Sequence, residues 1–176
     1  MILHLIFLPP LTLLQHLITI PMERRQFGEV RKAVWKKKGL TVAVKVLKAS
    51  AGSSEAADAE MQAFIEEGKT MVGLKHDFVV KLMGVVQEGQ KMLVTEFMPF
   101  GAMNKYLKGK QKAGAPLPLQ SLLLFLKQIS EGMVYLEAKK IVHRDLAARN
   151  VLVKSDSICK IFDFGMARQV GESIKT

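Results

Sequence analysis

Short runs of apolar residues dominate the first half of the chain and predict β-structure. The runs at 27–35 and 40–47 flank Lys36–Gly39, a lysine-rich turn, and this arrangement predicts a hairpin. Two further runs, at 78–87 and 91–97, are separated by a short glycine-containing turn. The first half of the chain is therefore expected to form a sheet.

Helical periodicity first occurs after the predicted hairpin at 27–47, and it returns in the second half of the chain. Residues 49–59 are small and polar, which predicts a linker, and the pattern at 60–74 then predicts a helix. A short helix is expected near 103–110 and a longer one at 119–138. The longest helix carries apolar residues almost all round, so its burial on several faces is expected.

Composition places the chain among folded globular proteins. Its 176 residues are 49% hydrophobic and 24% charged, which excludes collagen-like, low-complexity and wholly disordered classes. The net charge of +10 suits nucleic acid, an anionic membrane or a phosphorylated ligand. Because the basic residues are scattered and the chain has only two Tyr and one Trp, nucleic-acid binding is disfavoured.

The single cysteine, Cys159, cannot form an internal disulfide. Its apolar neighbours Ile158 and Ile161 predict a small buried residue in a strand. Two short apolar runs, at 151–153 and 159–162, are expected to be strands. A reducing, cytoplasmic compartment is favoured.

The segment from Met1 to Met22 contains no charged side chain and is long enough to span a bilayer. Pro9-Pro10 interrupts this segment, no Lys or Arg precedes it, and no small-residue cleavage site follows it. Three interpretations stay open: a membrane or secretory segment, a packing segment, or an extension foreign to the domain behind it. Membrane association through residues 1–20 is possible but is not favoured.

A lysine and a glutamate in the first half of the chain could act together. Lys45 ends the apolar string Val-Ala-Val-Lys, where a cation on a rigid strand can meet phosphate oxygens. Glu67 follows on the predicted helix, where its carboxylate could hold that lysine. Taken singly, each residue is more typical of a solvated surface.

The second half contains two more specific strings. Residues 143–150 read His-Arg-Asp-Leu-Ala-Ala-Arg-Asn, which places a potential proton acceptor, Asp145, in the same short loop as a potential metal-ligand amide, Asn150. Asp163 begins an Asp-Phe-Gly string further along the chain, and its glycine permits a sharp change of direction.

Together these three strings and Glu67 resemble the signature set of eukaryotic protein kinases. The Ala147–Arg149 form of the loop is similar to tyrosine kinases, since serine/threonine kinases usually carry Lys where Ala147 stands. The strings at 92–96 and 104–107 resemble cytoplasmic tyrosine kinases of the Syk, Shark and Src groups.

The resemblance implies an α+β, two-lobed protein-kinase-like fold. A nearly complete small lobe with a five-stranded antiparallel sheet would occupy residues 22–98, after a hydrophobic extension at 1–21. An incomplete helical large lobe would occupy residues 99–176 and end within the activation segment.

The implied function is transfer of the ATP γ-phosphate to tyrosine of protein substrates, with ATP and Mg²⁺ as cofactors. Asp145 would accept or orient the tyrosine proton, and Arg149 would position Asp145. Lys45, held by Glu67, would contact the α- and β-phosphates, while Asn150 and Asp163 would hold Mg²⁺. The remaining implied ATP-binding residues are Gly28, Val30, Ala43, Thr95, Glu96, Met98 and Leu152, and an apolar stack is implied for Met71, Leu82, His143 and Phe164.

The chain departs from the family pattern at both ends. In the glycine-rich loop only the third glycine, Gly28, is present, with Glu23 and Arg25 at the other two positions, and Pro21 would disturb pairing of the first strand. The chain also stops shortly after Gly165, at Thr176, before the substrate platform. These departures favour an alternative, a catalytically inactive kinase fragment that binds nucleotide weakly or engages a partner protein through an exposed apolar face.

Overall fold

The computed structural model describes residues 17–25, 28–47, 55–86 and 89–170. These residues form two compact units. Of the described residues, those up to Val72 and those in Lys81–Phe97 form the first unit, and those in Gly73–Val80 and from Met98 onward form the second. The predictions for residues 1–16, and for the first part of the 49–59 linker, lie outside the described residues.

A five-stranded antiparallel sheet forms most of the first unit, as the small-lobe prediction required. Its strands are β1 (Leu17–Arg25), β2 (Gly28–Trp35), β3 (Leu40–Val46), β4 (Leu82–Val86) and β5 (Met92–Glu96). The strand order across the sheet is β1-β2-β3-β5-β4. A 3₁₀ turn at Lys36–Lys38 joins β2 to β3, which confirms the hairpin. Gly39 closes this turn in the left-handed region, at φ 63°, where glycine has no Cβ to clash.

Pro21 lies within β1 and does not prevent this strand from pairing. Its register partner is Arg31, and the pairing shifts between Pro21 and Glu23. Because β1 is an edge strand, one side of its backbone needs no partner, and a proline without an N–H is tolerated there. The expected disturbance is therefore limited to a local irregularity.

The sheet packs its core on one face. Alternate residues of β2 and β3 point to this face, and Val42 and Val44 are completely buried. Residues of β4 and β5 complete the cluster, so that two hairpins share a single apolar layer. Its buried members are Ala33, Trp35, Val42, Val44, Val46, Val86, Met92 and Val94.

The helix of the first unit, α1 (Glu55–Met71), begins earlier than predicted. Residues 55–59 were expected to belong to a linker, and this expectation was wrong. Alanine is the best helix former, and the carboxylates of Glu55 and Asp58 lie in the first turn, where they interact favourably with the helix dipole. Small size was therefore a sign of helix rather than of linker in this segment.

The apolar run predicted as a strand at 78–87 divides between the two units. Only Leu82–Val86 joins the five-stranded sheet. Val79 instead forms a parallel bridge with Ile161, and the Val80 N–H donates to the Ile161 carbonyl at 2.9 Å. Periodicity alone could not show that one run has two different pairing partners.

The second unit contains two helices and two small sheets. The helices are α2 (Met103–Lys112) and α3 (Leu119–Ala138), and the bounds of α3 match the prediction. The short strands are β6 (Gly101–Ala102), β7 (Ile141–Val142), β8 (Val151–Ser155), β9 (Ile158–Ile161) and β10 (Arg168–Gln169). One sheet has the order β6-β8-β9, and β10 pairs with β7. Among the described residues, no helix is both long enough and apolar enough to cross a membrane.

Helix α3 is buried on one face only, so the burial that its apolar residues predicted on several faces is not seen among the described residues. Its buried residues include Phe125 and Leu136, and Gly132 lies so close to β9 that an added Cβ would stand 2.8 Å from the Ile161 side chain. The opposite face exposes large apolar side chains. These are Leu119, Leu123, Leu126 and Val134, between 52% and 69% exposed.

A buried glutamine fastens α3 to the β8–β9 hairpin. Gln128 donates from Nε2 to the Ser157 carbonyl at 2.7 Å, and its Oε1 accepts from the Cys159 N–H at 2.8 Å. Cys159 is completely buried in β9, as predicted, and burial raises the pKa of its thiol to about 12. Because β9 is an edge strand of its sheet, the hydrogen bond from the Cys159 N–H to Gln128 replaces the backbone partner that a neighbouring strand would have supplied.

Replacing Gln128 with leucine is expected to lower the free energy of unfolding by about 2 kcal/mol, because the buried Cys159 N–H loses its acceptor. Urea denaturation measures this loss. The control is Gln120→Leu on an exposed position of the same helix, expected to change stability by less than about 0.5 kcal/mol. Equal losses in the two variants would show that Gln128 contributes only helix propensity.

Candidate active site

The first unit brings together the lysine and the glutamate that the sequence singled out. Lys45 on β3 donates from Nζ to Oε2 of Glu67 on α1. The Glu67 side chain is only 3% exposed and that of Lys45 is 18% exposed, so the ion pair is largely removed from water. Such a pair fixes the position of the ammonium group, which a solvated lysine would not have.

Close packing of α1 on the sheet explains why Glu67 reaches Lys45. A Cβ added to Gly68, the next residue, would stand 2.9 Å from the Leu93 side chain. Leu93 on β5 is the register partner of Lys45 on β3. The absence of a side chain at Gly68 therefore lets the helix approach the strand that neighbours Lys45.

Four residues predicted to bind nucleotide share one face of this sheet. Val30 on β2 pairs with Lys45, and Ala43, two residues before Lys45, pairs with Thr95 on β5. Directly paired residues and residues two apart point to the same face. This face is opposite to the valine-rich core, and Thr95 on it is 6% exposed.

The other four residues predicted to bind nucleotide lie in different elements of the two units. The Glu96 N–H donates to the Lys81 carbonyl at 3.0 Å, and the Glu96 carboxylate accepts from the Lys81 N–H. Glu96 therefore uses its N–H inside the β4–β5 pair. Gly28 begins β2, Met98 is buried in the second unit, and Leu152 on β8 is half-buried.

In the second unit, Asp145 is held by two side chains that follow it in the chain. Its Oδ1 accepts from Nη2 of Arg149, and its Oδ2 accepts from Nδ2 of Asn150 at 2.8 Å. A 3₁₀ turn at Ala148–Asn150 directs both donors back toward Asp145. The carboxylate remains 28% exposed, so it is both oriented and accessible.

Asn150 is joined to the segment that carries Asp163. The amide nitrogen of Asn150 is used by Asp145, which leaves its Oδ1 as the atom suited to a cation. The Asn150 carbonyl accepts from the Phe162 N–H at 2.8 Å, directly before Asp163. Asp163 has φ 66°, in the left-handed region where aspartate is tolerated better than most residues.

His143 connects the Asp145 loop to the Asp163 segment. Its Nδ1 accepts from the Asp145 N–H at 3.3 Å, so its Nε2 carries the hydrogen and donates to the Phe162 carbonyl at 3.0 Å. The ring also packs on Phe164, with 5.2 Å between ring centroids. Sequence reasoning predicted His143 only as a member of an apolar stack and missed these hydrogen bonds.

The two halves of that predicted stack lie in different units. His143 and Phe164 are each 1% exposed in the second unit. Met71 and Leu82 are 1% and 9% exposed in the first. All four side chains are therefore buried, which ordinary core packing would also require.

Arg144 is a further residue whose contacts the sequence did not predict. Its backbone has φ 63°, and its Nε donates to the Met166 carbonyl just beyond the Asp-Phe-Gly string. Left-handed backbone is costly for a long side chain and persists only where its surroundings enforce it. The sequence marked Arg144 only as a member of the string at 143–150, and that string does not indicate backbone conformation.

These contacts can be compared with known proteins. A family model described as protein tyrosine and serine/threonine kinase matches residues 19–176. The chain belongs to this kinase family.

Several curated proteins, most of them named as tyrosine-protein kinases, are similar to this kinase chain. The tyrosine-protein kinase transforming protein Abl of Abelson murine leukemia virus is 42% identical over 146 residues, covering 81% of this chain and 18% of that protein. The epidermal growth factor receptor of Drosophila melanogaster is 40% identical, with 81% and 10% covered. Tyrosine-protein kinase SRK3 of Spongilla lacustris is 39% identical, with 89% and 45% covered. The chain thus spans less than half the length of these relatives.

Strands β1 and β2 flank the segment of this kinase chain that resembles the glycine-rich loop and lacks two of its three glycines. In the register of β1 and β2, Arg25 pairs with Gly28 and Glu23 pairs with Val30. Strand pairing therefore extends to the residues that replace the first two glycines.

Glu29 and Arg31 on β2 form an ion pair at 3.0 Å.

Proposed function

We propose that this protein transfers the γ-phosphate of ATP to tyrosine side chains of protein substrates in the cytoplasm. The observation that carries the proposal is the double hydrogen bonding of the Asp145 carboxylate by Arg149 and Asn150. An oriented, accessible carboxylate is what a hydroxyl nucleophile needs beside it in phosphoryl transfer. The tyrosine kinases among its relatives support tyrosine as the acceptor.

Asp145 is proposed to receive the proton of the tyrosine hydroxyl. The phenolic oxygen forms the new bond to the γ-phosphorus, while the bond from that phosphorus to the β–γ bridging oxygen breaks and ADP leaves. The proton moves to a carboxylate oxygen of Asp145. Arg149 and Asn150 hold this carboxylate in place, so that little reorganisation accompanies the transfer.

Lys45 is proposed to contact the α- and β-phosphates of ATP. Its ion pair with Glu67 fixes the ammonium group on a rigid strand. The shared sheet face supports nucleotide-contacting roles for Val30, Ala43 and Thr95. We extend these roles to Gly28, Glu96, Met98 and Leu152 by their match to the family pattern alone.

Asn150 and Asp163 are proposed to hold Mg²⁺. In the part of the chain that the structure describes, no group of three or more His, Cys, Asp or Glu side chains could hold a metal. An amide oxygen and a carboxylate fit Mg²⁺ instead, since this ion takes few protein oxygens and completes its shell with phosphate oxygens and water. When bound, Mg²⁺ would neutralise charge on the phosphates.

Labelling from γ-³²P-ATP tests this function in the protein expressed from its own gene. We expect Mg²⁺-dependent incorporation into a tyrosine-containing peptide and none into the same peptide with phenylalanine. Incorporation into a matched serine peptide at an equal rate would contradict the assignment of tyrosine as acceptor. Loss of the signal after Asp163→Asn would support the metal assignment.

A second candidate function is binding of a partner protein without catalysis. The exposed apolar face of α3 favours it, because Leu119, Leu123 and Leu126 form a contiguous surface that water solvates poorly. The missing glycines at positions 23 and 25 point the same way, toward weak nucleotide binding. Partner binding that survives Asp145→Asn, in a protein that transfers no phosphate, would select this candidate.

A further inference from the structure

Strand β2 places a lysine on the sheet face that carries the residues predicted to bind nucleotide. Lys32 is the register partner of Ala43, and Ala43 is the register partner of Thr95. Because directly paired residues point to the same face, these three side chains form one row across β2, β3 and β5. Lys32 lies outside the strings that carry the family resemblance, so its place on this face is a finding of the structure.

The Lys32 ammonium group lies over the aromatic ring of Phe97, 4.9 Å from the ring centroid. A cation within about 6 Å of a ring centroid is attracted to the negative face of the ring, and partial removal from water strengthens this attraction. Both side chains are half-buried. Because β3 lies between β2 and β5 in the sheet, the two side chains meet across β3, where Ala43 has only a methyl group. The contact therefore links β2 to the chain that leaves β5.

The residue before Phe97 is held from the other side. Glu96 ends β5, and its N–H donates to the Lys81 carbonyl at 3.0 Å. The Glu96 carboxylate accepts from the Lys81 N–H at 2.8 Å. Lys81 lies directly before β4, the neighbour of β5 on the side away from β2. The end of β5 is therefore fixed toward both sides of the sheet.

We infer that Lys32 is a positioning residue for the base of ATP, which acts through Phe97 on the backbone at the end of β5. This inference rests on the nucleotide-binding part of the proposed function, in which Glu96 contacts the nucleotide. Backbone N–H and C=O groups fix the orientation of a small ligand, and a small displacement of such groups weakens their contacts. Because the phosphate contact is assigned to Lys45, loss of Lys32 should affect the base and not the phosphates.

A second lysine–aromatic pair in the same unit provides a matched control. Lys38 lies over the Trp35 ring, 4.2 Å from its centroid. Trp35 belongs to the apolar core on the opposite face of the sheet. Lys38→Met therefore removes the same charge and the same kind of contact as Lys32→Met, without altering the face that carries the nucleotide-binding residues.

Calorimetric titration of the 176-residue chain with adenosine and with ATP tests the inference, because adenosine carries the base without the phosphates. We expect Lys32→Met to weaken the binding of both ligands by about fivefold, and Lys38→Met to change neither by more than about twofold. Lys32→Arg should retain the affinity, since a guanidinium also stacks on an aromatic face. Lys45→Met/Glu67→Leu should weaken ATP binding and leave adenosine binding unchanged.

Phe97→Leu distinguishes action through the ring from direct contact of Lys32 with the nucleotide. If Lys32 acts through the ring, Phe97→Leu should weaken adenosine binding as much as Lys32→Met does. The double variant Lys32→Met/Phe97→Leu should then bind adenosine no more weakly than either single variant. In steady-state kinetics, Lys32→Met should raise the KM for ATP and leave kcat within about twofold.

Four outcomes would overturn the inference. The first is absence of adenosine binding by the unchanged chain. The second is weakening of ATP binding alone by Lys32→Met, which would place Lys32 at the phosphates. The third is multiplication of the two losses in the double variant, and the fourth is an equal loss in Lys38→Met, which would assign the effect to net charge. Adenosine binding that follows the expected pattern in a chain that transfers no phosphate would support the inference and contradict the proposed kinase activity.

Discussion

Replacing Asp145 with asparagine is expected to lower kcat for tyrosine phosphorylation by about 10²- to 10⁴-fold. The amide has almost the same shape and can still contact Arg149 or Asn150, but it cannot take the proton of the attacking hydroxyl. The KM for ATP should stay within about twofold, because Asp145 acts on the acceptor and not on the nucleotide. Steady-state kinetics with a tyrosine peptide measures both quantities.

Asp77→Asn is the matched control for this change. It removes the same charge from an exposed aspartate of the same unit. We expect its kcat and KM to equal those of the unchanged protein. If Asp145→Asn retains more than about a tenth of the rate, the Asp145 carboxylate is not the proton acceptor, and the role proposed for it is contradicted.

The bounds of several elements could be predicted because their signals are local. The β2–β3 hairpin has an apolar run on each side of a Lys-Lys-Lys-Gly turn, and α3 has Pro118 directly before it. Residues 55–59 were misassigned because alanine is small, and small residues suit linkers as well as helices. The segment at 78–80 was misassigned because its partner, β9, lies near the other end of the chain.

The candidate site shows the same division between local and long-range information. The chain positions of Lys45, Asp145, Asn150 and Asp163 were readable as strings. The hydrogen bonds of His143 and Gln128 were not, because each side chain joins segments that are distant in the sequence. Gly68 gave no signal either, since its importance lies in the closeness of Leu93. Short sequence motifs identify the reacting groups, whereas the residues that position those groups can be identified only from the packing of the folded chain.

The Lys45–Glu67 pair allows stability and function to be separated. Lys45→Met is expected to lower the free energy of unfolding by about 3 kcal/mol, because the buried Glu67 carboxylate loses the cation that hydrogen-bonds to it. Lys45→Met/Glu67→Leu removes that charge as well, and its stability should return to within about 1 kcal/mol of the unchanged protein. Urea denaturation measures these values, and binding of fluorescent ATP analogues reports nucleotide affinity.

Nucleotide affinity should not follow stability in these two variants, Lys45→Met and Lys45→Met/Glu67→Leu. Both variants lack the ammonium group, so both should bind the nucleotide at least about tenfold more weakly, even where stability is restored. The exposed pair Lys69–Glu66 on the same helix is the control, and Lys69→Met should change stability by less than about 0.5 kcal/mol. Recovery of nucleotide affinity in the stable double variant would mean that Lys45 serves the fold alone. Continued weak binding in a stable protein would instead assign the phosphate contact to Lys45 itself, because the fold would then be intact without its cation.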